Sequence, residues 1–170
     1  LRIAHEMGLA REYADINFRG EYLIVEGESA KLARANVYSV PRHTAFPFLD
    51  PHYVVRHDGR VEIGPTAIPV FGPYVYQGIG NPLRKICKRP FQNVFRLLVN
   101  PEFISLCAQE WKSAFFQKAM VSRVQKFLPA LKTEDCIQNG NAGVRASLID
   151  QRGNFVPEEL ELSGARSLHI

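Results

Sequence analysis

Cysteine is scarce in this chain: three among 170 residues, Cys87, Cys107 and Cys136, far apart and with no CxxC pair. An odd count at such spacing argues against a disulfide framework or a zinc site. It favours a reducing compartment, so the expected location is cytoplasmic. No apolar run reaches the roughly 18 residues needed to cross a bilayer. The opening Leu1-Arg2-Ile3-Ala4 lacks the charged-then-apolar layout of a secretory signal. Charge of one sign is not in large excess either. Lys+Arg number 21 against 17 Asp+Glu, a net +4, which is too small a surplus to mark a nucleic-acid binder. Nucleotide-cradling motifs are missing as well. There is no GxGxxG after a strand, no GxxxxGK[ST] and no HExxH. Gly78-Ile79-Gly80 is too short for a dinucleotide fingerprint, and Gly140-Asn141-Ala142-Gly143 leads into a strand rather than a helix N-terminus.

What is present is ordinary globular chemistry, 46% hydrophobic and 22% charged, too apolar for intrinsic disorder. With no initiator Met, an opening helix (Leu1 to Met7, stopped by Gly8) and a closing strand, the chain reads as an excised piece of a longer polypeptide.

The first half is β-rich. Asn17 to Val25 is aromatic and β-branched, and Asn36 to Val40 is a second short run. His52 to His57 meets Val61-Glu62-Ile63 across Asp58-Gly59, a strong hairpin signal. From about Asn81 to Leu131 the apolar period changes to three and four. Asn100-Pro101-Glu102 supplies an N-cap, a first-turn proline and an acid. The pattern predicts an amphipathic helix, or two with a break, running to Val124 and Leu128 before Pro129. Leu83 to Val99 is also helical in pattern, interrupted by Pro90. Alternation by two returns at Gly143 to Asp150, followed by a turn through residues 151–154, Phe155-Val156 and Leu168-His169-Ile170. Strands, helices and strands in that order indicate an α+β fold with a largely antiparallel, mixed sheet and a helical insertion. The expected organisation is one lobe over 1–170: β-rich 14–70, helical 81–131, β-rich 136–170.

Four segments occur in order: Phe18-Arg19-Gly20-Glu21-Tyr22; Val40-Pro41 with Phe46-Pro47-Phe48-Leu49-Asp50-Pro51-His52-Tyr53; Asp58-Gly59 through Gly64-Pro65-Thr66-Ala67; and Ala142-Gly143-Val144-Arg145-Ala146 leading to Asp150-Gln151-Arg152-Gly153. The set resembles the FAD-dependent oxidoreductases of the D-amino-acid-oxidase type, and within them most closely the L-2-hydroxyglutarate oxidase/dehydrogenase group. That group carries FRGEY or FRGDY, FPFLGVHF, DG…GPNA and GVRAQ at similar spacings. The resemblance implies that FAD is the cofactor and that its βαβ holder lies in another part of the same polypeptide. This piece would then be the substrate-side lobe, acting on a small-molecule 2-hydroxy acid such as L-2-hydroxyglutarate, and inactive in isolation.

The resemblance also implies site residues. Arg145 matches the arginine that anchors the substrate carboxylate, a task suited to a planar guanidinium fork; its other reading is a solvated sheet arginine. His52 matches the histidine of FPFLGVHF and is placed to accept the hydroxyl proton, with a structural strand-entrance histidine as the alternative. Asp50-Pro51 departs from the group's Gly-Val, which keeps other substrates open, glycerol 3-phosphate or an amino acid among them. Arg19, Glu21 and Tyr22 match residues lining the pocket. Alternation puts Arg19 and Glu21 on one strand face, where they could instead simply pair with each other. Gly20, Gly143 and His169 are the implied flavin-contacting positions, Gly20 by allowing close approach of the ring. His43, His57 and His169 have weaker cases, and His57 is expected to be exposed. The basic stretch Arg84-Lys85-Ile86-Cys87-Lys88-Arg89, with Arg96 beyond, reads as a solvated helix face or as a peripheral contact with an inner membrane. A non-catalytic module binding an acidic partner or membrane through that stretch is the alternative from another class.

Overall fold

The structure is a computed structural model describing residues 1–40, 50–81, 91–137, 140–156, 161–162 and 168–169. In chain order its elements are α1 (Arg2–Glu6), β1 (Ala14–Glu21), β2 (Leu23–Val25), a 3-10 turn (Gly27–Lys31), β3 (His52–Val55), β4 (Val61–Gly64) and β5 (Ile68–Val70). They continue with α2 (Phe91–Leu98), α3 (Pro101–Phe115), α4 (Gln117–Val124), β6 (Cys136–Ile137), β7 (Ala142–Ile149), β8 (Glu161–Leu162) and β9 (Leu168–His169). Helices and antiparallel sheets together make an α+β fold. The strands form separate sheets rather than one: β5-β1-β7, β3-β4-β2-β6 and β8-β9 among the described residues.

The chain divides into two compact units, the first comprising 1–18, 69–104 and 145–170 and the second 19–68 and 105–144. In the second unit the four-stranded sheet is antiparallel throughout. Asp58-Gly59 makes the expected hairpin turn. Val55 faces Val61 across it, and the Asp58 carboxylate accepts the Arg60 N–H at 3.1 Å. Helix α4 lays Met120, Val121 and Val124 against Val25, Tyr53, Val61, Ile63, Leu131 and Cys136. Tyr53 is fully buried and donates its hydroxyl to the Ser29 carbonyl at 3.0 Å, so this core gains apolar burial with its one phenol satisfied.

In the first unit Phe18, Phe103 and Phe155 cluster with ring centroids 6.1 to 6.4 Å apart. Asn93 of α2 donates to the Glu12 carbonyl at 2.9 Å. The Asn100 side chain caps α3, accepting the N–H groups of Glu102 and Phe103, as Asn-Pro-Glu predicts. The break between α3 and α4 falls at Phe116, which is extended (φ −121°, ψ 103°).

Three expectations change. Asn17 to Val25 is two strands separated at Tyr22. Asn36 to Val40 is not a strand but contributes a single bridge, Val37 to Tyr53, because the Asn36 side chain takes the Val55 N–H instead. Phe155 likewise makes one bridge, to Ile149. Residues 82–90 of the helical insertion lie outside the described residues.

Candidate active site

Two of the sequence segments meet in the second unit, and glycine is what lets them. A Cβ on Gly20 would stand 2.8 Å from the Pro65 Cβ, and one on Gly64 would stand 2.7 Å from the Glu21 carbonyl oxygen. Gly64 also holds φ +147°, a conformation few side chains tolerate. The two segments are stitched by Glu21 N–H to Thr66 Oγ1 at 3.0 Å and Thr66 N–H to the Glu21 carbonyl at 3.1 Å. The space at Gly20 is therefore filled by the chain's own Pro65, which accounts for that glycine without a ring against it. Gly20→Ala is expected to cost about 1–3 kcal/mol by overpacking, read as a lower denaturation midpoint with an unchanged slope. Gly143 differs: a Cβ there meets nothing within 4 Å.

Arg19 is buried and its Nε donates to Glu21 Oε1 at 2.7 Å. The in-strand ion pair weighed as the plain reading is thus the one formed. Tyr22, the next position, has its N–H on the Asn141 carbonyl at 3.2 Å. The Arg56 guanidinium lies over its ring, 5.2 Å from the centroid. Arg56 in turn holds Glu62, Nε at 2.7 Å and Nη2 at 2.6 Å from Oε2. Glu62 is wholly buried, and its other oxygen accepts from Asn141 Nδ2 at 3.3 Å. A buried carboxylate needs such partners. Burial pushes the Tyr22 phenol above its ordinary pKa, with Arg56 acting in the opposite direction, so at neutral pH it is a hydroxyl donor.

His52 is buried at the start of β3. Its ring sits 4.5 Å from Tyr38 and 6.3 Å from Tyr22, centroid to centroid. Nδ1 lies 3.3 Å from the Asp50 carbonyl. A carbonyl only accepts, so Nδ1 carries the proton in the neutral ring and Nε2 keeps its lone pair. Burial lowers the His52 pKa from its ordinary 6.5; the Asp50 carbonyl opposes this and the Arg56 charge adds to it. The imidazole is therefore neutral at physiological pH, with a proton-accepting nitrogen.

Arg145 and its neighbour Ala146 are exposed on β7 in the first unit; Ala142 and Gly143, earlier on the same strand and in the second unit, are exposed too. His57 is exposed. His169 lies in β9, which pairs with β8. His43 and Arg84 to Arg89 lie outside the described residues. Arg96 donates to the Gln151 carbonyl at 2.8 Å. Neither of two open hollows includes a candidate residue: one of about 720 Å³ is lined by Gln117, Thr133, Glu134 and Cys136, the other, of about 420 Å³, by Gln109, Ser113, Phe116 and Arg123. Cys107 and Cys136 are free thiols, pushed by burial to about 12 and about 11, and so are poor nucleophiles. No metal-binding cluster occurs among the described residues.

Sequence reading missed Tyr38, Arg56, Glu62 and Asn141. Only Glu62 left a trace, as an acid within an apolar strand.

No protein-family profile matches the chain. Individual proteins do. An L-2-hydroxyglutarate dehydrogenase of Nematostella vectensis is 32% identical over 176 residues, 99% of this chain and 38% of that protein. The Homo sapiens protein of the same name is 33% identical over 185 residues, 99% of this chain and 37% of its own length. Nearly the whole chain is similar to a segment of L-2-hydroxyglutarate dehydrogenases. The Caenorhabditis elegans protein agrees, 30% identical over 98% of this chain and 38% of its own length. The resemblance first read from the four segments therefore holds across both units. The chain spans about two fifths of the length of these relatives. All three carry "mitochondrial" in their names, and no helix among the described residues is long and apolar enough to cross a membrane.

Proposed function

We propose that the full-length protein oxidises L-2-hydroxyglutarate to the 2-oxo acid, and that this lobe supplies substrate-handling groups for that reaction. The observation that carries the reading is the similarity to dehydrogenases of that name along 99% of the chain. It does not favour glycerol 3-phosphate, an amino acid or a non-catalytic module. It also leaves the cytoplasmic expectation without support, and we carry over the relatives' mitochondrial setting in its place.

FAD is the cofactor the resemblance implies. One observation suits a flavin, the open space over Gly143, while the sequence offers no nucleotide cradle, since no glycine-rich strand-to-helix turn occurs in it. A bound flavin would supply the hydride acceptor, held by the remainder of the polypeptide. His52 takes the hydroxyl proton on Nε2, because its Nδ1–H is committed to the Asp50 carbonyl. For Arg145 the resemblance implies the substrate carboxylate as ligand, a group its guanidinium fork suits. Tyr22, protonated and braced by Arg56, offers a hydroxyl to substrate oxygen.

The test is turnover of the purified full-length protein with L-2-hydroxyglutarate, its D-enantiomer, glycerol 3-phosphate and an amino acid. Preference for the L-hydroxy acid is expected, and equal or better turnover of another compound would overturn the substrate assignment. Arg145→Ala is expected to raise KM about 10- to 100-fold, the loss of one charge-assisted contact of about 1.5–3 kcal/mol. An unchanged KM would remove Arg145 from the anchor role.

A further inference from the structure

Asp50, two residues ahead of His52, is tied to helix α4 by a cluster of side chains. Arg123 of α4, with its side chain 11% exposed, places Nη2 2.8 Å from Glu110 Oε1 and 3.5 Å from Asp50 Oδ1. Its Nη1 donates to Ser113 Oγ at 3.1 Å, and Ser113 Oγ donates to the Gln109 carbonyl at 3.1 Å. Glu110, 2% exposed, is fixed by its second oxygen, which accepts the Ala67 N–H at 2.8 Å. All of these groups lie in the second unit.

We propose that Arg123 is a positioning residue for His52: it holds the Asp50 carboxylate, and through it the Asp50 carbonyl that fixes the proton of His52 on Nδ1. The proposal rests on the reading that His52 accepts the substrate proton.

The chemistry follows the chain. A guanidinium presents its donors in one rigid plane, so with Nη1 and Nη2 already engaged by Ser113 and Glu110 of α3, the place left for the Asp50 carboxylate is set by the helix. Asp50 precedes a proline, which confines its backbone to extended conformations, and Pro51 is itself buried. Carboxylate and carbonyl of Asp50 therefore move together. The carbonyl is 3.3 Å from Nδ1; were it to swing away, the neutral ring could place its proton on Nε2 and lose the accepting lone pair on that side. A lysine at position 123 would keep the charge but not the fork.

The experiment uses the full-length protein with its histidines labelled with nitrogen-15. His52 is assigned by comparison with His52→Gln. Wild type is expected to show the Nδ1–H tautomer. Asp50→Asn, which leaves Arg123 paired with Glu110, and Arg123→Lys, which keeps Glu110 compensated, are both expected to raise the Nε2–H fraction. Both should lower kcat by about ten- to a hundredfold, the upper end being the cost of a reacting group misplaced by about 1 Å, with KM within twofold. If the tautomer is unchanged in both variants, the clamp is overturned, whether or not kcat falls. If the tautomer shifts while kcat stays at the wild-type value, the clamp stands and His52 is not the base.

Discussion

His52→Gln in the full-length protein is expected to lower kcat by about 10²- to 10⁴-fold, the usual contribution of a positioned general base, with little change in KM. Glutamine approximates the ring's reach and can still donate to the Asp50 carbonyl, so the β3 entrance stays formed while the proton-accepting nitrogen is lost. The pH profile adds a signed expectation. The base works when neutral, and burial lowers its pKa below 6.5. The acid limb of kcat/KM should therefore fall below pH 6.5 in wild type and be absent from the residual activity of the variant. Stability follows the same direction. The unfolded chain binds a proton at His52 more readily than the folded one, so this group's contribution is complete above pH 6.5 and is lost as pH falls toward the folded value. A variant with wild-type turnover would leave His52 as a structural residue.

The second large effect concerns folding. Arg56→Met removes the main partner of Glu62, a carboxylate with no solvent exposure. Breaking a buried pair from one side costs about 3–5 kcal/mol, and the cation over the Tyr22 ring is lost with it. Arg56→Met combined with Glu62→Gln should recover much of that loss, because no charge is then stranded. Additive losses in the double variant, measured by chemical denaturation, would mean that the pair does not behave as a unit.

What could be read along the chain and what could not divide by sequence separation. The Asp58-Gly59 turn, the Asn100 cap and the stop of α1 before Gly8 depend on neighbours within a few residues, and all are formed. The Arg19–Glu21 pair follows from period-two alternation alone. Asn36 to Val40 has a strand's composition but not its ladder, because the Asn36 side chain occupies a donor that a strand backbone would have taken. Nothing local announces that Arg123 reaches back to Asp50, or that Asn141 reaches Glu62. Those pairings are made by the packing of α4 on the sheet and by β4 being buried on both faces, where alternation would have left Glu62 in solvent. His52 was legible as a candidate through the resemblance, while the groups that set its protonation were not.

The most direct test of the central claim is anaerobic mixing of the full-length, flavin-loaded protein with L-2-hydroxyglutarate, following the flavin absorbance. The expected result is rapid bleaching in wild type, and in His52→Gln the same final extent at a rate at least a hundredfold lower, the floor for losing a general base. A wild-type protein whose flavin stays oxidised in saturating L-2-hydroxyglutarate would contradict the claim.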